Sequence, residues 1–135
     1  MPAAATQNQS RPKRLNFIMN GQPAYLAVPP ILVSDKPYMA ALYLECSTIP
    51  YRVHGDTDWL DISTHNGHAR LTAQTKSVEI GSAKFTVGAP PVVYEGRWYL
   101  PLDLFGRLSG ADVQFNAADS CVTYGGRVPL REYRN

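Results

Sequence analysis

The sequence is poor in cysteine. Its two thiols, Cys46 and Cys121, can form one disulfide at most. They fall in different halves, one in a predicted helix and one in a predicted strand. Two buried free thiols are the preferred reading and one bridge is the alternative. No stretch approaches the roughly 18–20 apolar residues that a membrane-spanning helix requires. Neither sign of charge dominates: 13 Lys and Arg face 11 Asp and Glu, a formal +2 at pH 7. That balance gives no strong field toward nucleic acid or an anionic bilayer. Catalytic signatures are missing too. There is no Gly-x-Ser-x-Gly, no phosphate-cradling glycine loop, no zinc-protease helix motif and no carboxylate pair set opposite a cleft. A non-enzyme without cofactor is expected.

What is present suits a folded domain. The apolar fraction is 44% against 18% charged residues, which excludes bulk disorder. The 135 residues make one ordinary domain or two small units sharing a core. The opening MPAAATQNQSRPKR is polar and lacks a signal peptide's apolar centre. Either the protein stays inside the cell or a signal has been removed, with the Ala run as its remnant. Residues 1–14 read as a flexible arm in which Arg11, Lys13 and Arg14 form a small solvated basic cluster.

The main signal is internal similarity. Laying Pro29-Pro30 on Pro90-Pro91 sets Asn20-Gly21 on Gly81-Ser82 and Leu26 on Val87. It also sets Ile31-Leu32 on Val92-Val93, Tyr38-Met39 on Tyr99-Leu100 and Tyr43-Leu44 on Leu104-Phe105. A match of apolar and turn positions over about 45 residues points to a duplicated unit. Each unit reads as a hairpin around Asn20-Gly21 or Gly81-Ser82, a short strand after the proline pair, a turn, a short helix and a closing hairpin. Pro101 suits a first helical position. Leu102, Leu104, Phe105 and Leu108 give the apolar face and Ser109-Gly110 the left-handed cap. In the first unit Ala41 and Leu44 point inward and Glu45 outward. The expected class is α+β, as two tandem repeats, each a small, mainly antiparallel sheet on one short helix. The boundaries are repeat one 15–63, linker 64–75, repeat two 76–125 and a tail 126–135, the whole 15–125 forming one shared core.

The phrase running through Pro90, Pro91, Gly96, Arg97, Tyr99, Pro101, Leu102, Gly110, Ala111 and Val113 resembles the copper amine oxidase N-terminal, or stalk, domain family. The first repeat is degenerate, with Ala40 for proline and Ile49-Pro50 for Gly-Ala. The resemblance covers residues 15–125. It implies a small antiparallel sheet wrapped on a helix, in non-catalytic modules of secreted or surface-anchored bacterial proteins. The namesake's oxidase chemistry belongs to another domain, with a quinone made from tyrosine in an Asn-Tyr setting and three histidines on copper. This chain has no Asn-Tyr pair, so that activity is not carried over.

Candidate sites are few. Trp98, with Tyr94 and Arg97 in the EGRWY turn, could stack on a sugar or anchor a partner, against the alternative that Trp98 packs over the sheet. Alternation sends Trp98 to the face opposite Tyr99. His54, His65 and His68 could chelate a metal, but they read as exposed turn residues. Asp56, Asp58 and Asp61 read as a polar hairpin loop rather than a calcium site. The tail GGRVPLREYRN echoes GRWYLPLD and could serve a subunit contact. The leading expectation is a non-catalytic extracellular or cell-envelope module acting through protein contacts, self-association or an envelope partner, as a repeating subunit of a surface layer or filament. The alternatives are a cell-wall glycan-binding module and, weaker, a metal-dependent enzyme. A cytoplasmic location is the alternative to an envelope one.

Overall fold

A computed structural model describes residues 12–46 and 51–125, Cys46 by its backbone only. The ends of the arm and tail therefore lie outside the described residues, the tail wholly and the arm up to residue 11. In chain order the first half holds β1 (Lys13–Arg14), β2 (Asn16–Met19), β3 (Gln22–Ala24), β4 (Ile31–Val33), β5 (Lys36–Ala40), a 3-10 segment (Ala41–Cys46), β6 (Arg52–Gly55) and β7 (Leu60–Thr64). The second half holds β8 (Gly67–Leu71), β9 (Ser77–Ile80), β10 (Ala83–Thr86), β11 (Val92–Tyr94), β12 (Arg97–Pro101), α1 (Leu102–Ser109), β13 (Asp112–Asn116) and β14 (Cys121–Gly125). Among the described residues the fold is mostly strand with one short α-helix, an α+β arrangement.

Turn chemistry sets the hairpins. Asn20 and Gly21 both have positive φ (51° and 82°), as do Ser34 and Asp35, and Glu95 and Gly96. These are the values that a two-residue type I′ hairpin demands. At Gly81-Ser82 only Gly81 is positive (φ 62°), the type II′ pattern.

Three features depart from the sequence expectation. Pro101 closes β12 and stands before the helix as its N-cap, with φ −58° and ψ 147°, rather than at the first helical position. Its extended ψ carries the strand one residue further. Gly110, at φ 75°, returns its N–H to the Gly106 carbonyl and ends α1 as expected. In the first half the helix is a six-residue 3-10 segment. That segment has Ala40 in place of the proline and Ile49 in place of the closing glycine, so neither end is fixed for an α-helix. Ala41 and Leu44 are nevertheless buried and Glu45 exposed. The stretch 64–75, read as a connection, contains β8, and its Leu71 is fully buried.

Two seams join the halves. A five-stranded sheet runs β1-β4-β5-β12-β11, and its centre pairs β5 with β12 antiparallel: Tyr38 with Pro101, Met39 with Leu100, Ala40 with Tyr99. Met39 and Leu100 have no exposed surface. A four-stranded sheet runs β13-β14-β2-β3, where β14 and β2 pair in parallel. The helix face of Leu102, Leu104, Phe105 and Leu108 packs into the same core as Tyr43, Leu44 and Tyr124. β6-β7-β8 and β9-β10 form separate small sheets against this core.

Candidate functional site

The hairpin β11–β12 carries all three candidate contact residues and does not bring them together. The register pairs Tyr94 with Arg97 and Val93 with Trp98. Tyr94 and Arg97 therefore share the face of Tyr99, while Trp98 takes the other. On their side Tyr94 and Arg97 border a hollow of about 160 Å³ with Arg14, Pro29 and Glu95. Trp98 is 7% exposed. Its indole N–H donates to the Asp56 carbonyl at 2.6 Å, and Asp56 in turn donates its N–H to the Trp59 carbonyl at 2.8 Å. Trp98 thus pins the β6–β7 loop onto β12, with most of its ring buried.

Gly55 makes that fit possible. A Cβ there would stand 2.7 Å from Trp98 Cδ1 and 3.1 Å from Nε1. Gly55→Ala is expected to displace the indole and cost about 1–3 kcal/mol, the usual range for overpacking. Chemical denaturation and near-ultraviolet circular dichroism check it. An unchanged midpoint would show that the loop yields freely.

On the other side of the hairpin a groove of about 580 Å³ runs between Pro91, Val93 and Trp98 and the segment Thr72–Gln74 with Asp58. Val93, 42% exposed, stands on its rim. Among the described residues β11 ends the five-stranded sheet and has no strand beyond it, so its outer backbone edge is open there.

The histidines do not converge. His54 lies on β6, His68 on β8, and His65 in the turn between β7 and β8, its Nδ1 3.5 Å from Thr64 Oγ1. Among the described residues no three His, Cys, Asp or Glu side chains are grouped to hold a metal. The acids separate as well. Asp56 caps its own turn, accepting the Thr57 N–H at 2.7 Å, whereas Asp61 is held by Arg70 at 2.7 Å. Cys121 is a free, buried thiol, pushed up by burial and by Asp119, so it stays protonated. Burial likewise pushes the phenols of Tyr38, Tyr51 and Tyr99 up. These groups are packing and hydrogen-bonding elements; the Tyr51 hydroxyl, for example, donates to the Leu108 carbonyl at 2.8 Å.

Sequence reasoning passed over Trp59 and Arg70, which meet on the outer face of β6-β7-β8 with the Arg70 guanidinium 4.1 Å over the Trp59 ring. The signal was the alternation in WLDIS and HAR, which sends Trp59, Asp61 and Arg70 away from Leu60, Ile62 and Leu71.

A family model described as the copper amine oxidase N-terminal domain matches residues 18–124. No curated protein and no solved structure matches the chain.

Proposed function

The chain belongs to the copper amine oxidase N-terminal domain family, a non-catalytic domain, and on that premise we propose that it is a structural and interaction module of the cell envelope or exterior. It acts by protein–protein contact, and its copies associate through the open edge of β11 into a surface assembly. The observation that carries this reading is the difference between the two ends of the five-stranded sheet. One end is β1, whose two residues are Lys13 and Arg14, the charged and short edge by which proteins discourage pairing. The other is β11, Val92-Val93-Tyr94, uncharged, with Val93 exposed beside a groove lined by Pro91 and Trp98 on one side and by Asp58, Thr72 and Gln74 on the other. An unguarded edge of that kind accepts another strand.

The two halves read as tandem copies. In support, Met39 and Leu100, which occupy the same place in the two copies, face each other at the β5–β12 seam. A paired unit locked through its core suits spacing and display. A metal-dependent reaction at His54, His65 and His68 has no support in their placement, and a glycan stacked on Trp98 has none either.

The test is the mass in solution, by light scattering, of the full chain and of its Val93→Lys variant. The full chain is expected to form dimers or larger species and the variant to be monomeric. At a concentration where both are monomeric, the variant's free energy of unfolding should differ from the parent's by no more than about 0.5 kcal/mol, since the side chain is exposed. A full chain monomeric at every concentration, or a variant that associates equally well, would refute edge pairing. Trimming residues 1–11 and 126–135 separates a contribution of the ends from that of β11.

A further inference from the structure

In the β11–β12 hairpin the turn decides which backbone groups face outward. Glu95 and Gly96 form a two-residue loop with both φ positive, so the flanking Tyr94 and Arg97 exchange their hydrogen bonds. Bonded and non-bonded pairs alternate along an antiparallel ladder. Val92 and Tyr99 therefore exchange bonds as well, whereas Val93, opposite Trp98, turns its N–H and its carbonyl away from β12. Among the described residues no backbone group outside the hairpin bonds to either. Within the strand, the outer edge of β11 thus offers one donor and one acceptor, both on its middle residue.

A residue placed in this way is its own complement. Turned about a two-fold axis normal to the sheet, a second β11 runs antiparallel and meets the first with Val93 against Val93. Each N–H then reaches the other copy's carbonyl, and no group within the strand is left over. Other registers form fewer bonds. A shift of one residue sets Val93 against Val92 or Tyr94, whose groups are already engaged with Tyr99 and Arg97. A shift of two sets it against Pro91, which has no N–H, or against Glu95, whose φ of 53° takes it out of the strand. A parallel arrangement would turn one sheet over and join the Trp98 face of one copy to the Tyr99 face of the other.

The side chains agree with the same register. They alternate along each strand, so one face carries a row of Trp98 and Val93 followed by Val93 and Trp98 of the second copy. On the other face Tyr94 stands opposite Val92 of the second copy, between Arg97 and Tyr99. Every pair across the axis is apolar or aromatic, the kind that stabilises a ladder. No like charges meet, because Glu95 falls beside Pro91 of the second copy. Val93 is 42% exposed in the single chain, and covering it favours the pair.

We propose that two copies join β11 to β11 about a two-fold axis, Val93 against Val93, as a closed dimer. The proposal rests on the reading of β11 as the contact edge and adds the partner, the register and the stoichiometry. The partner is the same edge of a second copy. Pairing covers β11 in both copies, and the joined sheet ends on each side in Lys13 and Arg14 of β1. Growth by this edge therefore stops at two.

The experiment is light scattering on the full chain, on Val93→Lys, on Val93→Glu and on an equimolar mixture of the two variants. Like charges directly opposite each other destabilise a ladder and opposite charges stabilise it. The parent is expected to be dimeric and each variant alone monomeric, while the mixture returns to twice the monomer mass. Disulfide trapping in the parent background then reads the register. Val93→Cys should link to itself, since a bonded pair holds its Cα atoms about 5.5 Å apart. Val92→Cys and Tyr94→Cys should link to each other when mixed, and neither to itself. Like residues there lie on the diagonal, about 7–8 Å apart, beyond the reach of a disulfide. Mass spectrometry of the linked peptides separates these bridges from any through Cys46 or Cys121, and circular dichroism checks that each variant keeps the fold. A parent monomeric at every concentration overturns the edge reading, and this proposal with it. Association that Val93→Lys abolishes but the mixture does not restore, or a Val92→Cys chain linked to itself, overturns the two-fold register alone.

Discussion

Leu100→Ala is expected to lower the stability of the entire chain by about 3–4 kcal/mol, within the range for a leucine truncated in a sealed core. Leu100 has no exposed surface and pairs with Met39, equally buried, at the middle of the β5–β12 seam. The site cannot collapse onto the gap without moving a strand from each half, so the cavity persists. Because the β5–β12 and β14–β2 seams tie the two halves together, the loss should appear as one cooperative transition shifted downward. Denaturation followed by tryptophan fluorescence and by far-ultraviolet circular dichroism should give coincident curves. Two separated transitions, with only one displaced, would mean that each half keeps a core of its own.

Gly81→Ala should cost about 2–4 kcal/mol, through two mechanisms that add. Gly81 has φ 62°, a region where a side chain is strained by about 1–2 kcal/mol. The added Cβ would also lie 2.5 Å from the Asn66 carbonyl oxygen, and a Cβ added at Gly67, across the same contact, would meet the Gly81 nitrogen as closely. Both obstacles are backbone, so no rotamer change relieves them. The turn of β7–β8 sits on the turn of β9–β10, and glycine is what lets them meet. A thermal or denaturant melt of Gly81→Ala beside Ser82→Ala tests it. The serine variant, exposed and without the close contact, should stay within about 0.5 kcal/mol of the parent. Equal behaviour of the two would remove the steric argument.

The hairpins were legible because their turn residues are local. Asn20-Gly21 and Gly81-Ser82 name their own geometry, and the proline pairs end strands wherever they occur. The helix after Pro101 was legible from the spacing of Leu102, Phe105 and Leu108, though not its first residue, since proline's φ suits the end of a strand as well as the start of a helix. The first-half helix failed because alanine and leucine content cannot replace missing end signals. β8 was hidden in a stretch that opens with His65-Asn66-Gly67 and alternates only weakly, Ala69 being its middle inward residue.

The candidate site was harder. Trp59 and Trp98 are both flanked by alternating strand residues. What buries Trp98 is Gly55 and the Asp56 carbonyl, on a strand and turn far away in sequence, and no local pattern carries that contact. Alternation did separate Trp98 from the Tyr99 side, which already told against one site built from Tyr94, Arg97 and Trp98 together. The clasp of Arg70 on Asp61 depends on β7 and β8 pairing, and a reading that made 64–75 a linker could not foresee it.

The parallel pairing of β2 with β14 has a mechanical consequence. Asn16 lies beside Cys121 and Met19 beside Tyr124, four pairs running in one direction. A tension applied along the chain, backward on the residues before β2 and forward on those after β14, pulls the two strands past each other. The short β1 peels first, and the ladder behind it is then loaded in shear. Its hydrogen bonds must stretch together instead of opening one at a time, and the bond from Asn20 N–H to the Tyr124 carbonyl, at 2.7 Å, closes its far end. A unit held this way resists stretching along its own axis more than its modest size suggests.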